Sequence, residues 1–152
     1  MNELAKLLPA QNVFVEVDAR SQKRLFEVAA ELLEQSSKVS RRVIFDSLLA
    51  RERLGSTALG HGIALPHGRV KNLREATGVF LRLSTPISFD AAPDDLPVRF
   101  VFFLLVPEHA PEHHLQILSE LVQLFGEAAF RTRLEQAGAA DIHLAFTAGQ
   151  DA

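Results

Sequence analysis

The most constraining feature of the sequence is an uninterrupted apolar run, Phe-Val-Phe-Phe-Leu-Leu-Val, at residues 100–106. A run this short cannot span a bilayer, which takes about 20 residues. Because it does not alternate with polar residues, it is typical of a strand that is covered on both faces. We therefore predict a central strand at residues 98–106 of a layered α/β domain, in which a mixed parallel and antiparallel sheet of about five strands is flanked by helices on both faces.

Weaker patterns predict the other strands. Valine alternates with other residues between positions 12 and 17, which indicates a first strand there. The same alternation predicts a strand at 77–83, and a loop rich in Pro and Asp follows at 85–97. Segment 54–62 is expected to be a loop, because its glycines favour backbone freedom over regular structure.

Capping residues and helical spacing predict the helices. Ser21 and Ser40 each precede a segment with apolar residues at helical spacing, so each is expected to cap a helix. A longer amphipathic helix is predicted over 113–125, and we expect its leucine stripe to belong to the core rather than to a partner groove. A short amphipathic segment with Leu4, Leu7 and Leu8 opens the chain, and shorter helices are predicted to finish it, with apolar residues Phe130, Leu134, Ile142, Leu144 and Phe146.

Composition narrows the classes of function. The 152 residues suit a single domain over 1–152, and 47% apolar with 23% charged residues is ordinary for a globular protein. The net charge is −3 with scattered charges, so the basic face that nucleic acid requires is not expected. The absence of cysteine and of a secretory signal fits a cytoplasmic protein, and membrane insertion is not expected.

The segment with the clearest chemical character is Gly-His-Gly-Ile-Ala-Leu-Pro-His-Gly-Arg at residues 60–69. Its apolar part stops at Pro66, and proline occurs in sheets mainly at edges and strand ends because it cannot donate to the ladder. His67 is therefore expected at a strand terminus near the surface.

A histidine in this position is suited to accept a phosphoryl group. Such a histidine must be neutral, with one ring nitrogen free to attack and the other held by a hydrogen bond. Glycines such as Gly62 and Gly68 would let backbone and partner groups approach, and nearby cations would neutralise phosphoryl oxygens. The candidate cations are Arg51, Arg53, Arg69 and Lys71. From the residues alone, an ordinary surface histidine at the end of an apolar strand remains the alternative.

The motif Gly-x-Gly-Ile-Ala-aliphatic-Pro-His-Gly resembles the phosphorylation site of the EIIA domains of the fructose, mannitol and nitrogen-regulatory branch of the bacterial phosphotransferase system. The likeness extends through Arg-Glu-Arg-Leu-Gly-Ser-Thr at 51–57, Leu-Leu-Val-Pro at 104–107 and His-Leu at 114–115. It is strongest toward the nitrogen-regulatory EIIA. The fold that this resemblance implies, a mixed sheet between helices, agrees with the layered prediction.

The resemblance also implies roles for individual residues. His67 would be the phosphoryl acceptor, Arg51 would bind the phosphoryl group, and His114 would lie beside the site as a stabiliser. Further binding residues are expected at Thr57, Gly62, Gly68 and Arg69.

The partners that the resemblance implies are proteins. The donor would be a phosphocarrier of the HPr or NPr type, with no cofactor and no metal. We prefer the nitrogen-regulatory branch because no linker or fused EIIB is visible in the sequence. The phosphorylation state would then regulate target proteins such as kinases or potassium transport components. The alternative is a sugar-specific EIIA that passes phosphate to an EIIB. In both cases the resemblance implies that the chain would be a histidine phosphocarrier rather than a free-standing turnover enzyme.

His61 departs from the family pattern, which usually has asparagine between Gly60 and Gly62. It could hydrogen-bond the phosphoryl group, take over the role of the amide, or be solvated, and we favour the last two.

The histidine-rich tract at 108–114 does not have the spacing of a metal site. His113 and His114 are adjacent, so they would point about 100° apart on a helix, whereas a helical zinc pair needs ligands at i and i+4. The chain also lacks the Gly-Lys-Ser/Thr ending of a nucleotide loop and the Gly-x-Ser-x-Gly elbow of a serine hydrolase.

Overall fold

The computed structural model describes residues 3–89, 92–109 and 111–147, the side chains of 111–113 excepted. The helices are α1 (Glu3–Leu7), α2 (Gln22–Ser37), α3 (Arg41–Leu54), α4 (Pro111–Phe125), α5 (Ala128–Gln136) and α6 (Ala139–Thr147). The strands are β1 (Val13–Val17), β2 (Ala58–Gly60), β3 (Ile63–Ala64), β4 (His67–Val70), β5 (Thr77–Ile87) and β6 (Val98–Pro107). A 3-10 turn at Ala10–Asn12 leads into β1.

The strands form one mixed six-stranded sheet in the order β1-β5-β6-β3-β2, with β4 also paired to β6. The pairs β1–β5, β3–β6 and β4–β6 are parallel, whereas β5–β6 and β2–β3 are antiparallel. The apolar run thus forms the central strand, which confirms the prediction made from its length and composition.

Helices cover both faces of the sheet, as predicted. Alternate side chains of β6 enter two separate core clusters, one with α2 and α3 and the other with α1, α4, α5 and α6. On the first face, Phe103 contacts Phe26 edge-to-face with ring centroids 5.3 Å apart. On the second, the rings of Phe102 and Phe146 lie 5.4 Å apart. Burial on both faces explains why residues 100–106 of this strand are all apolar.

The two predicted caps are present. The Ser21 hydroxyl oxygen accepts a hydrogen bond from the backbone N–H of Arg24 at 3.1 Å, and α2 begins at the next residue after Ser21. Ser40 accepts from the N–H of Val43 at 3.5 Å before α3. Each bond satisfies one of the N–H groups that a helix leaves without an internal partner. Among the described residues, no helix combines the length and the apolar character needed to cross a membrane.

The predicted loop at 54–62 contains a strand, so that prediction was wrong. Residues Ala58–Gly60 pair with β3, and the two-residue turn between the strands is made by His61 and Gly62, with φ of 56° and 76°. Gly60 and Gly62, two of the glycines that predicted a loop, belong instead to a short hairpin, the first as the end of β2 and the second as a turn residue. The loop predicted at 85–97 also starts later than expected, because β5 continues to Ile87.

The leucine stripe of α4 is only partly core. Ile117 and Leu121 are buried, but Leu115 is 64% exposed and Val122 is 48% exposed. Leu144 of α6 is exposed as well. Helical spacing predicted both helices correctly. The assignment of the whole leucine stripe of α4 to the core was wrong for Leu115, which lies outside the face packed on the sheet.

Strands β3 and β4 follow the same edge of β6 one after the other. Ala64 is opposite Val101 and His67 is opposite Leu104, so the register is maintained across the two residues between the strands. The Pro66 carbonyl accepts a hydrogen bond from the Leu104 N–H at 3.0 Å. His67 is therefore the first residue of a strand and not the residue after one, and its backbone is fixed in the ladder.

Candidate functional site

The His67 ring is held in one orientation by a short local hydrogen bond. Its Nδ1 atom lies 3.0 Å from the carbonyl oxygen of Leu65. Because a carbonyl oxygen can only accept, Nδ1 must carry the proton and donate it. In the neutral ring, Nε2 then has a lone pair available for attack.

The surroundings keep this ring neutral. Burial lowers the pKa of His67 below the usual 6.5, and the charges of Arg51 and Arg69 lower it further. The hydrogen bond to Leu65 and the Glu52 carboxylate act in the opposite direction without cancelling the effect. A lower pKa means that the imidazole is uncharged, and hence nucleophilic, at neutral pH.

Both candidate histidines and two candidate arginines line one cavity. It has a volume of about 340 Å³ and is bordered by α3, β4 and α4. Arg51 is half-buried, Arg69 is exposed, and His114 is only 6% exposed. The cavity therefore combines one reachable imidazole with two cations and a second, buried imidazole, which are groups that can hold a phosphoryl group.

Apolar side chains surround the mouth of this cavity. Leu54 is 85% exposed, Leu115 is 64% exposed, and Leu118 is half-buried. All three line the cavity. We call these three residues the apolar rim; sequence reasoning assigned two of them to the core.

The Arg51 side chain also forms a hydrogen bond at the C-terminal end of α3. Its Nη1 donates to the carbonyl oxygen of Gly55 at 2.9 Å, just beyond the last residue of the helix. This bond uses one of the five N–H donors of the guanidinium group. The position near a helix C-terminus is favourable for a cation, so Arg51 has a structural as well as a candidate chemical role.

Gly68 lines the cavity, but its small size is required by packing on α3. A Cβ atom at this position would overlap the Ser47 hydroxyl oxygen and approach the α3 backbone. Ser47 donates a hydrogen bond to the Arg69 carbonyl at 3.0 Å, which fixes β4 against the helix. Sequence reasoning missed Ser47, although its position three residues after Ile44 and four before Arg51 places it on the buried face of α3.

Thr57 is buried outside the cavity and reaches His67 only indirectly. Its hydroxyl donates to one oxygen of Glu52 at 2.5 Å, and its N–H donates to the other at 3.2 Å. The Thr57 carbonyl in turn accepts from the Leu65 N–H at 3.0 Å. The Leu65 carbonyl orients the His67 ring. Glu52 and Thr57 therefore help to fix the backbone segment that positions this ring.

Gly62 and His61 lie away from the cavity. Ile63, next to the hairpin turn, is opposite Phe100 of β6, and His67 is opposite Leu104. These two positions are four residues apart along β6, so they are separated by about 13 Å at ~3.3 Å per residue. We therefore assign Gly62 to the hairpin turn and not to phosphoryl binding. His61 is exposed, and this separation argues against a hydrogen bond from it to a phosphoryl group on His67.

Two other candidate cations also lie elsewhere. Arg53 is exposed and borders a different cavity between α2 and α3. Lys71 follows the last residue of β4, which runs away from the His67 cavity, and it borders a separate groove. In the described ranges 3–89, 92–109 and 111–147, no three His, Asp or Glu residues are grouped so that they could hold a metal ion.

The fold and the cavity have the features expected of a domain that carries a phosphoryl group on histidine. The family model described as "Phosphoenolpyruvate-dependent sugar phosphotransferase system, EIIA 2" matches residues 6–147, and the chain belongs to this family. This agrees with the resemblance inferred from the motif around His67.

Several similar proteins are named nitrogen regulatory proteins. The chain is 38% identical over 142 residues to the nitrogen regulatory protein of Pseudomonas aeruginosa, covering 93% of this chain and 92% of that protein. The crystal structure of nitrogen regulatory protein IIA-Ntr from Neisseria meningitidis matches with a TM-score of 0.91 and 42% identity, over 95% of this chain and 99% of that one.

A sugar-system structure is also similar. The Escherichia coli complex of enzyme IIAMTL and phosphorylated enzyme IIBMTL contains a chain that matches with a TM-score of 0.77 and 25% identity. The match covers 94% of this chain and 99% of that one. The fold is thus common to relatives with regulatory and sugar-system names.

Proposed function

We propose that this chain is a cytoplasmic phosphocarrier that accepts a phosphoryl group on Nε2 of His67. The observation that carries the proposal is the 3.0 Å hydrogen bond between Nδ1 and the Leu65 carbonyl. It leaves Nε2 as the nucleophile, in a cavity that Arg51 and Arg69 also line. Family membership supports the same chemistry.

The proposed step transfers a phosphoryl group between two imidazole rings. The Nε2 lone pair of His67 attacks the phosphorus of a phosphohistidine on an HPr- or NPr-type donor. The bond from phosphorus to the donor nitrogen breaks, and its electron pair returns to the donor ring. The His67 ring gains positive charge, which the Leu65 carbonyl offsets through the Nδ1 proton. Arg51 and Arg69 neutralise charge on the phosphoryl oxygens, the main task of a protein in such transfers.

The surface around the cavity is suited to a protein donor. The apolar rim offers contact area next to the acceptor, while Arg51 and Arg69 offer charge to the phosphoryl group. An apolar surface that surrounds a charged centre excludes water from the contact, which strengthens the electrostatic interactions inside it.

We further propose that the phosphorylated and unphosphorylated forms regulate other proteins, such as kinases or potassium transport components. The names of the relatives from Pseudomonas aeruginosa and Neisseria meningitidis support this branch. Regulation of this kind requires a partner with different affinities for the two forms. The second candidate function is transfer to a sugar-specific EIIB, which the similarity to IIAMTL in its complex with phosphorylated IIBMTL favours.

The acceptor residue is tested by intact-mass spectrometry after incubation with a phosphorylated HPr-type donor. The unaltered chain and His109→Ala are expected to gain one phosphoryl group, whereas His67→Ala gains none. His109 is the matched control because it is exposed and lies outside the cavity lining. Full labelling of His67→Ala would refute the proposed acceptor.

A second experiment separates the two branches. The chain is phosphorylated, freed of donor and mixed with sugar-specific EIIB proteins of the fructose and mannitol types. Retention of the phosphoryl group, together with a phosphorylation-dependent change in affinity for a kinase or potassium-transport protein, supports the regulatory branch. Rapid transfer to an EIIB supports the sugar branch instead.

A further inference from the structure

A second, larger cavity lies beyond the far end of β4. It has a volume of about 1300 Å³ and is bordered by α1, the C-terminal end of α2 and the segment that joins β4 to β5. Its lining includes four cations, and we call it the basic groove. They are Lys6, Lys38, Lys71 and Arg74.

The charge of the basic groove is opposite to that of the whole molecule. The four cations are accompanied in the lining by one carboxylate, Glu75, although the chain as a whole carries a net charge of −3. All four cations are exposed. In the part of the chain that the structure describes, none of them forms an ion pair with a carboxylate. A concentration of unpaired positive charge on an acidic protein attracts anionic partners.

The groove also has apolar lining. Val43 is 48% exposed, and Val39 and Leu73 are half-buried. These side chains border the same groove as the cations. The groove thus offers cations and apolar area along one surface. A ligand that carries both carboxylates and apolar groups would be complementary to it.

The size of the groove favours a peptide over a small anion. Pockets for small molecules are usually about 300–1,000 Å³ and enclose most of the ligand. The basic groove exceeds that range, and its cations come from three separate parts of the chain. An extended segment places side chains at intervals of about 3.3 Å per residue and can reach several of the cations at once.

We propose that the basic groove binds an extended acidic segment of a partner protein, with carboxylates paired to its cations and apolar side chains against Val39, Val43 and Leu73. The groove shares no lining residue with the His67 cavity. It is connected to that cavity by β4, which begins at His67 and ends at the residue before Lys71. This binding surface extends beyond the proposed phosphocarrier function and does not depend on it.

The test uses the unphosphorylated full chain, so its outcome is independent of phosphoryl transfer. The probe is a fluorescein-labelled peptide that alternates glutamate and leucine, and binding is followed by fluorescence anisotropy. A peptide with glutamine in place of glutamate is the control probe. The groove variant is Lys6→Glu/Arg74→Glu. The control variant, Lys23→Glu/Arg133→Glu, makes the same change in net charge at exposed positions outside the groove.

We expect the groove variant to bind the acidic peptide about tenfold more weakly, and the control variant to stay within about twofold of the unaltered chain. Far-ultraviolet circular dichroism and urea denaturation identify any variant that fails to fold. Three outcomes would overturn the proposal: no binding of the acidic peptide, equal binding of the glutamine peptide, or equal losses in both double variants. Displacement of the peptide by tripolyphosphate or an oligonucleotide at equal charge concentration would assign the groove to a different anion and also overturn it.

Discussion

Two histidines six residues apart, His61 and His67, lie at opposite ends of one short sheet edge and have opposite surroundings. The His67 ring is half-buried, is bonded to the Leu65 carbonyl and borders a cavity that two arginines also line. His61 is exposed in a hairpin turn with φ of 56°. The same imidazole is thus a candidate nucleophile at one end and a surface group at the other. The difference lies in the neighbours that hold the ring and lower its pKa.

The two ends are also held by different means. At the His61 end, the contact is with the backbone: its N–H donates to the Asp94 carboxylate at 2.8 Å. Hydrogen bonds from the N–H groups of His61 and Leu96 lower the pKa of Asp94, so this carboxylate remains charged in the usual pH range. At the His67 end, the side chain itself is bonded. Only the second arrangement controls the chemistry of the ring.

The largest effect is expected from removing the cation at the His67 end. Arg51→Ala should slow phosphoryl labelling by the donor about a hundredfold, because a donor to the transferring oxygens is lost. Arg51→Lys keeps the charge and should recover part of the rate. Rates are measured by quenched-flow mass spectrometry. The matched control is Arg53→Ala, since Arg53 lies two residues away and outside the cavity.

Arg51 also bonds the Gly55 carbonyl, so circular dichroism must accompany these rates. A correctly folded Arg51→Ala protein that labels as fast as Arg53→Ala would remove Arg51 from the proposed mechanism.

A smaller effect, on stability, should distinguish the glycines at the two ends. Gly68→Ala is expected to lower the free energy of unfolding by about 2 kcal/mol, because the new Cβ overlaps Ser47. Gly62→Ala is expected to cost about 1–2 kcal/mol, because alanine is strained at a φ of +76°. Urea denaturation measures both. Adding Ser47→Gly should restore part of the loss in Gly68→Ala and none in Gly62→Ala, and equal recovery in both would contradict this distinction.

Much of the fold was predictable from the sequence because its signals are local. The apolar run of β6 and the caps Ser21 and Ser40 are each contained in a few residues. Strand β2 was missed because its three residues are held by pairing with β3, which short-range patterns do not reveal. The exposure of Leu115 was missed because helical periodicity indicates an apolar face but not where that face leaves the sheet.

The site was predictable in part for a similar reason. The motif identified His67, the resemblance implied Arg51 and His114, and Arg69 was a candidate cation from its position in the sequence; all four border one cavity. Lys71 was proposed as a neighbouring cation on sequence proximity alone. It lies elsewhere because each residue of β4 moves the chain about 3.3 Å along the sheet.

A further, smaller effect is expected from restoring the residue that the family usually has at the turn. His61→Asn should raise the free energy of unfolding by about 0.5 kcal/mol, because asparagine adopts positive φ at lower cost than histidine. Phosphoryl labelling of this variant should match that of the unaltered chain. A marked loss of labelling would show that the two ends are coupled in a way that their separation along the edge does not explain.

The smallest expected effect concerns the titration of His67. Because its pKa in the folded protein lies below 6.5, more than half of the His67 rings should be neutral at pH 6.5. The fraction able to attack therefore falls less than twofold between alkaline pH and pH 6.5, and it is lost only at lower pH. Nuclear magnetic resonance titration of the ring measures this directly. A midpoint at or above 6.5 would contradict the role of burial.

The ladder pairing of His67 with Leu104 has a consequence for how a partner would recognise the phosphorylated form. A residue whose backbone is paired in the sheet has little freedom to move when modified, so the two forms would share one backbone shape. What changes is the local electric field, because the transferred group adds one net negative charge, with nearly two negative charges on the phosphoryl oxygens and one positive charge on the ring. Such a field decays within about 8 Å at physiological ionic strength. A partner must therefore read the phosphoryl group at close range, with its own charged residues directly over the modified ring.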